Sequence, residues 1–221
     1  LNKRNPERSG DSRRVEGHAP ILAFIGLVGT GKTSMTYSIA ESLGRPLVRL
    51  PFGGIGDAVQ LRGESRVKGE AEPGQIIKAI KASQVNNPVI LLDEIDKMSS
   101  DVHGDPASAL LEVLDPEQNK TFVDHFLDIE YDLSKVMFIT TANHIDTIPY
   151  PLFDRMEMIH LSGYTNQEKL DIAKKFLIPK NLKEYGLTTQ QFKISDELLD
   201  LVISQYTKEA GVRQLERTIT K

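Results

Sequence analysis

The sequence contains no cysteine, which excludes disulfide stapling and thiolate zinc sites and fits a reducing compartment. Its five histidines are scattered without metal-ligand spacing. No apolar run approaches the roughly 20 residues needed to cross a bilayer as a helix, so no membrane role is expected. Positive charge is not in excess either. Lys and Arg number 27 against 31 Asp and Glu, a formal net charge of -4, which gives no basic field to neutralise a nucleic-acid backbone. No basic, aromatic stripe, internal repeat or low-complexity tract compensates. What remains is a chain of 221 residues, 39% hydrophobic and 26% charged, long enough for one sizeable core plus a small satellite domain.

The opening "LNKRNPERSGDSRRVEGHAP" lacks the apolar core of a secretion signal, and its Arg, Ser, Gly and Pro content reads as a flexible linker over residues 1–19. It begins without Met, so a larger parent is expected. From residue 21 short apolar runs alternate with helical stretches. The runs are "ILAFI", "LVRL", "PVILLD", "KVMFITTAN" and "EMIHL", with helices expected over 32–43 and around "GQIIKAIKAS". Continuous apolar runs of this length mark strands buried on both faces, and their alternation with helices predicts an α/β fold with a doubly wound parallel sheet. After residue 161 the pattern is helical only: "NQEKLDIAKKFLIPKNL", "SDELLDLVISQYT" with Ser195 as its cap, and "GVRQLERTIT". A boundary near Gly163 divides an α/β domain, 20–162, from a small all-α domain, 163–221, expected to be incomplete.

Between the first strand and first helix stand Gly26, Leu27, Val28, Gly29, Thr30, Gly31, Lys32 and Thr33, a full match to G-x-x-x-x-G-K-[ST]. Glycines let backbone N–H groups converge on phosphates, the helix start adds its positive end, Lys32 reaches the β and γ phosphates, and Thr33 ligates Mg²⁺. In "VILLDEIDK" four apolar residues deliver Asp93 to the end of a buried strand, where it holds the metal through water. Glu94, next to it, is placed to polarise a water for attack on the γ phosphate. Asn143 ends "KVMFITTAN" and is expected beside Glu94 as an aligner of that water. Arg155 in "PLFDRMEMI" is either an ordinary surface residue or a cation offered across an oligomer interface to a neighbour's phosphates. Arg213 in "EAGVRQLER" either folds back onto the phosphates or pairs with a nearby Glu on its helix. "DVHGDP", with His103 and Asp105, is a polar turn capping the next helix or a second pore-facing loop. "LDPEQN" reads as a helix-to-loop transition with solvated acids.

The long phrase "NPVILLDEIDKMSSDVHGDPASALLEVLDPEQNKTFVDHFLDIEYDLSKVMFITTAN", with "DRMEMIHLSGYTNQEKLDIAKKFLIPK" and "YTKEAGVRQLER", resembles the ATPase module of Lon, the ATP-dependent serine protease of the AAA+ class, from about residue 20 to 221. That resemblance implies a P-loop AAA+ domain with a helical lid, and assigns residues 26–33 to Walker A and Asp93 with Glu94 to Walker B. By the same resemblance Asn143 is sensor 1, Arg155 the arginine finger, Arg213 sensor 2, and Tyr164 of "GYT" an adenine contact. It further implies ATP with Mg²⁺ as cofactors, a homo-oligomeric ring of six, and unfolded or damaged protein as substrate. No nucleic acid or membrane is required.

Three departures stand out. The family's two prolines after the first loop glycine are Leu27 and Val28 here, and "FIGLVGTGKT" with "PFGG" resembles fungal peroxisomal relatives. A peroxisomal or mitochondrial matrix is therefore expected ahead of a bacterial cytoplasm. The aromatic-aliphatic pair that grips substrate in the pore loop falls on Lys68 and Gly69, with Val67 before it. Nothing resembles the Ser and Lys peptidase domain. The expected function is thus an ATP-hydrolysing unfoldase feeding a peptidase carried elsewhere. Two readings stay open beside it: a clamp-loader or helicase-type ATPase, and an assembly module with little turnover.

Overall fold

The structure, a computed structural model, describes residues 20–53, 55, 57–98 and 105–220. The linker expected over 1–19, and His103, lie outside these residues.

Five strands form one parallel sheet: β1 (Ile21–Ile25), β2 (Leu47–Pro51), β3 (Val89–Asp93), β6 (Met137–Ala142) and β7 (Met156–His160), in the order β2-β3-β6-β1-β7. Every residue of β3 is buried, which is why that run carries no alternation. The chain travels from central β1 out to the β2 edge, returns through β3 and β6, and then places β7 on the other flank of β1. That reversal makes the carboxyl end of β1 the switch point where open α/β sheets bind ligands.

The two faces carry separate cores. Helix α1 (Lys32–Ser42) covers one through Ala40 against Phe24, Leu91 and Ile139. On the other, α2 (Ala58–Arg62), α3 (Gln75–Ser83) and α4 (Pro106–Leu114) enclose Leu61, Ile76, Ile90, Leu92 and Leu110. Asp105 caps α4, its carboxylate accepting from the Ala107 amide at 3.0 Å and the Ser108 hydroxyl at 2.6 Å. Between α4 and β6 lies a short antiparallel hairpin, β4 (Phe122–Asp124) and β5 (Ile129–Tyr131). Fully buried Asp124 ties its turn through the amides of Phe126 and Leu127, and ties the hairpin to the start of α3 through Gly74 N at 2.7 Å. The one-turn helix α5 (Tyr150–Phe153) leads into β7.

"LDPEQN" is a helix-to-loop transition, but one expectation about it fails. Asp115 is buried rather than solvated, because the Glu117 amide, the Gln118 side chain and Arg155 all donate to its carboxylate.

Beyond β7 the chain is helical, with its own apolar cluster of Ala173, Leu177, Leu199, Ile203 and Leu215. The first expected helix is divided into α6 (Asn166–Ile172), a π-helical turn (Ala173–Leu177) and α7 (Ile178–Glu184). The widened turn stands just ahead of Pro179, whose ring has no N–H to donate and crowds the carbonyl four residues back. Thr165 and Glu168 form a reciprocal capping box on α6. Helices α8 (Asp196–Tyr206), capped by Ser195, and α9 (Arg213–Ile219) complete the layer.

Candidate functional site

The glycine-rich loop leaves β1 in register, Gly26 N donating to Ala142 O at 3.2 Å, and reaches α1 through Gly29 at φ +81° and Gly31 at φ +86°. Both are left-handed conformations that side chains disfavour. Gly31 is also the N-cap of α1 without a side chain to satisfy the first amides, so those donors and the helix's positive end remain for an anion. Leu27 and Val28 are half-exposed and bring no polar side chain. Their part is main-chain: Leu27 O accepts from the Thr30 hydroxyl at 2.8 Å and from Lys32 at 2.9 Å.

Lys32 Nζ also donates to Gly26 O at 2.5 Å and to Asn143 Oδ1 at 3.0 Å. Its ammonium is folded into the cradle a phosphate would enter. Burial pulls its pKa below the ordinary lysine value, opposed by the nearby carboxylates of Asp96, Asp93 and Glu94. Thr33 follows in the first helical turn.

Asp93 ends β3, and only 4% of it is exposed. The Thr141 hydroxyl donates to its Oδ1, and Arg49 grips its Oδ2 through Nε at 2.7 Å and Nη2 at 2.5 Å. Glu94 stands at φ +60°, its amide donating to the Thr141 hydroxyl at 3.0 Å and its carboxylate accepting from Lys97 at 2.7 Å. Asn143 is held by Asp96, whose Oδ2 accepts its amide at 3.1 Å and the His144 amide at 3.4 Å. The fold thus brings Lys32, Asp93, Glu94 and Asn143 to one end of the sheet.

The helical layer closes over this end. Tyr164 donates its hydroxyl to Thr30 O at 2.8 Å, and burial raises its pKa. Its amide bonds Ala210 O at 2.8 Å, while Val212 N bonds Gly29 O at 3.1 Å. Arg213, exposed at the start of α9, has its backbone against Gly29. Thr30, Gly31, Ser34, Met35, Ser38, His160 and Tyr164 line an adjoining cleft of about 420 Å³.

Arg155 lies elsewhere. It precedes Met156, which pairs with Ile21 at the start of β1, so the length of β1, about 13 Å at 3.3 Å per residue, separates it from the loop. Its guanidinium donates to Asp115 at 3.2 Å and Pro151 O at 3.0 Å. Val67, Lys68 and Gly69 also form a separate feature. Val67 is 95% exposed, Lys68 pairs with Glu64 at 3.6 Å, and Gly69 has open space around it. Arg66 braces that loop on the hairpin, 4.7 Å over the Phe126 ring.

Sequence reasoning missed Arg49, Thr141 and Asp96. The signal for Arg49 was a charged residue inside the strand "LVRL"; for Thr141, a hydroxyl two positions before Asn143 in a buried strand.

The donors fit Mg²⁺. Among the described residues no group of three or more His, Cys, Asp or Glu gathers to hold a metal. A single hydroxyl and a single carboxylate, both hard oxygen donors, suit an ion held mainly by phosphates and water.

A phosphate cradle at the switch point of a parallel sheet, facing two carboxylates and under a helical cover, defines a nucleotide-binding P-loop ATPase fold. The chain belongs to the ATPase family associated with various cellular activities (AAA), whose family model matches residues 22–164. Residues 183–221 match the Lon protease AAA+ ATPase lid domain, and the chain is the ATPase portion of a Lon-type protein. It is 56% identical to a Lon protease of Clostridioides difficile over 202 residues, 91% of this chain and 26% of that protein. It is 57% identical to a Lon protease of Dictyoglomus thermophilum over 200 residues, 90% of this chain and 25% of that protein. A peroxisomal Lon protease homolog 2 of Spinacia oleracea is 53% identical over 207 residues, 94% of this chain and 23% of that protein. The chain thus spans about a quarter of the length of these curated relatives. No helix among the described residues is long and apolar enough to cross a membrane.

Proposed function

We propose that this chain hydrolyses MgATP between subunits of a homo-oligomeric ring of six and uses the cycle to draw unfolded protein toward a peptidase carried elsewhere in the parent protein. The observation that carries this reading is the division of labour along β1. Lys32, Asp93, Glu94 and Asn143 converge at its carboxyl end, whereas Arg155 stands at the other, beyond reach of its own site.

In this reading the loop amides of residues 26–33 and Lys32 bind the phosphates, and Thr33 and Asp93 hold Mg²⁺. Bound there, Mg²⁺ would supply charge neutralisation to the phosphates. Glu94, released from Lys97, orients and deprotonates the attacking water, and Asn143 aligns it. Arg155 completes the neighbour's site. Arg213 couples the lid, 163–221, to the nucleotide held by the α/β domain, 20–162, and Tyr164 contacts the base. Val67, with Lys68 and Gly69, meets the polypeptide, its exposed side chain taking the place of an aromatic wedge. The compartment is a reducing one, an organelle matrix or bacterial cytoplasm; the relatives compared include both bacterial proteins and a peroxisomal one.

ATPase rate measured with unfolded protein and with DNA tests the proposal. Stimulation by unfolded protein alone supports it; stimulation by DNA alone moves the chain to the nucleic-acid ATPases. Arg155's remoteness favours one second reading, an assembly module with little turnover when dilute. A rate per subunit that stays negligible as concentration rises would establish it.

A further inference from the structure

Each carboxylate at this end of the sheet has a cationic or polar partner within the chain. Lys97 holds Glu94, backbone amides hold Asp96, and Arg49 holds Asp93. The Arg49 pair differs from an ordinary structural ion pair in how its two halves are buried: the Asp93 side chain is 6% exposed and that of Arg49 is 52% exposed. One partner is fixed in the sheet and the other reaches in from solvent on the edge strand β2, two residues back in register, Arg49 opposite Leu91 and Pro51 opposite Asp93.

The chemistry at Asp93 is restrictive. Oδ1 takes the Thr141 hydroxyl, and both guanidinium donors converge on Oδ2, so two N–H groups fill that oxygen's two lone pairs. Water on a divalent ion needs the same acceptor, and the ion's own charge repels a guanidinium a few ångströms away. Because Arg49 is half in solvent, it can leave without disturbing the core, whereas Thr141 lies within the sheet.

We propose that Arg49 is a positioning residue that competes with Mg²⁺ for Asp93: its guanidinium orients the carboxylate through Oδ2, and it swings out when MgATP binds. This rests on the reading that Asp93 holds the metal's water. Arg49 would thereby set the Mg²⁺ concentration at which the site loads, without touching the nucleotide.

The test is a Mg²⁺ titration of the chain with N-methylanthraniloyl-ADP bound, followed by fluorescence, with the nucleotide's affinity in EDTA measured separately. Arg49→Met keeps the aliphatic stem and removes the competitor. The half-saturating Mg²⁺ concentration should fall about tenfold, the worth of a charge-assisted hydrogen bond, with EDTA affinity unchanged. Arg49→Lys keeps the charge, loses the fork and should shift less in the same direction. If Arg49→Met does not fold, Arg49→Lys carries the test alone. An unchanged or raised Mg²⁺ requirement in a folded Arg49 variant overturns the proposal. Asp93→Asn separates the two levels: if it leaves the Mg²⁺ dependence unchanged, the assignment of Asp93 fails; if it alters that dependence while Arg49 variants do not, only the competition fails.

Discussion

Glu94 occupies a left-handed backbone conformation, φ +60° and ψ 49°, that residues with a side chain seldom adopt. The Thr141 hydroxyl supports its amide there, and the geometry turns the carboxylate from the strand toward Lys97. Glu94→Gln keeps the shape and removes the base. Nucleotide affinity, measured by fluorescence, should be retained while turnover falls about 10²–10⁴-fold; undiminished hydrolysis would refute the role.

Asp115 supports a pH prediction. The Glu117 amide, then the Gln118 and Arg155 side chains, hold its carboxyl below the ordinary aspartate range. A depressed pKa stabilises the fold above the unfolded value, and that contribution is lost as pH falls through the folded one. Asp115→Asn should therefore lower the melting temperature near neutrality by about 2–4 °C, the shift that about 1 kcal/mol produces in a chain of this size. The gap from the parent chain should close as pH falls below about 4. A gap that persists in acid would show that packing, not charge, accounts for it.

At this scale the glycine-rich loop between β1 and α1, and the carboxylate that ends β3, were legible, because a phosphate-binding pattern of glycines, lysine and threonine is local. Their partners were not. The contacts of Arg49 to Asp93 and of Asp96 to Asn143 join positions 44 and 47 residues apart, and no local spacing encodes them.

Among elements, β1 and β3 were legible since burial on both faces demands unbroken apolar runs. The hairpin was not: its strands have three residues each, and its turn depends on Asp124 rather than an Asn-Gly pair. The π-helical turn at Ala173–Leu177 was missed for a related reason, Pro179 having been read inside one continuous helix.

The loop before α9 gives a prediction on docking. A side chain at Gly211 would run into the Val28 carbonyl and Gly29, so only the smallest residue lets α9 seat on the phosphate loop. Gly211→Val should push the helical layer off, costing about 1–3 kcal/mol and weakening nucleotide binding. Equilibrium unfolding and nucleotide titration measure the two effects, and an unchanged nucleotide affinity would mean the docked arrangement is not the binding one.

For the whole molecule, alternation of strands and helices followed by helices alone was enough to read the layered α/β architecture and the change of pattern after β7. It said nothing of which end of the sheet Arg155 would occupy, since that follows from strand order. Arg155→Ala should leave nucleotide affinity intact yet reduce turnover about 10³-fold or more, and abolish any rise of specific activity with chain concentration. Loss of affinity instead would place Arg155 in its own subunit's site.

Strand β1 also gives any closed assembly a direction. If Arg155 serves a neighbour's cleft as proposed, acceptor and donor stand at opposite ends of the strand, and contacts must run head to tail. In such a ring a subunit damaged at Lys32 should silence only itself, whereas one damaged at Arg155 should silence the copy beside it. Blending the two damaged chains should therefore restore working junctions wherever an intact donor meets an intact acceptor.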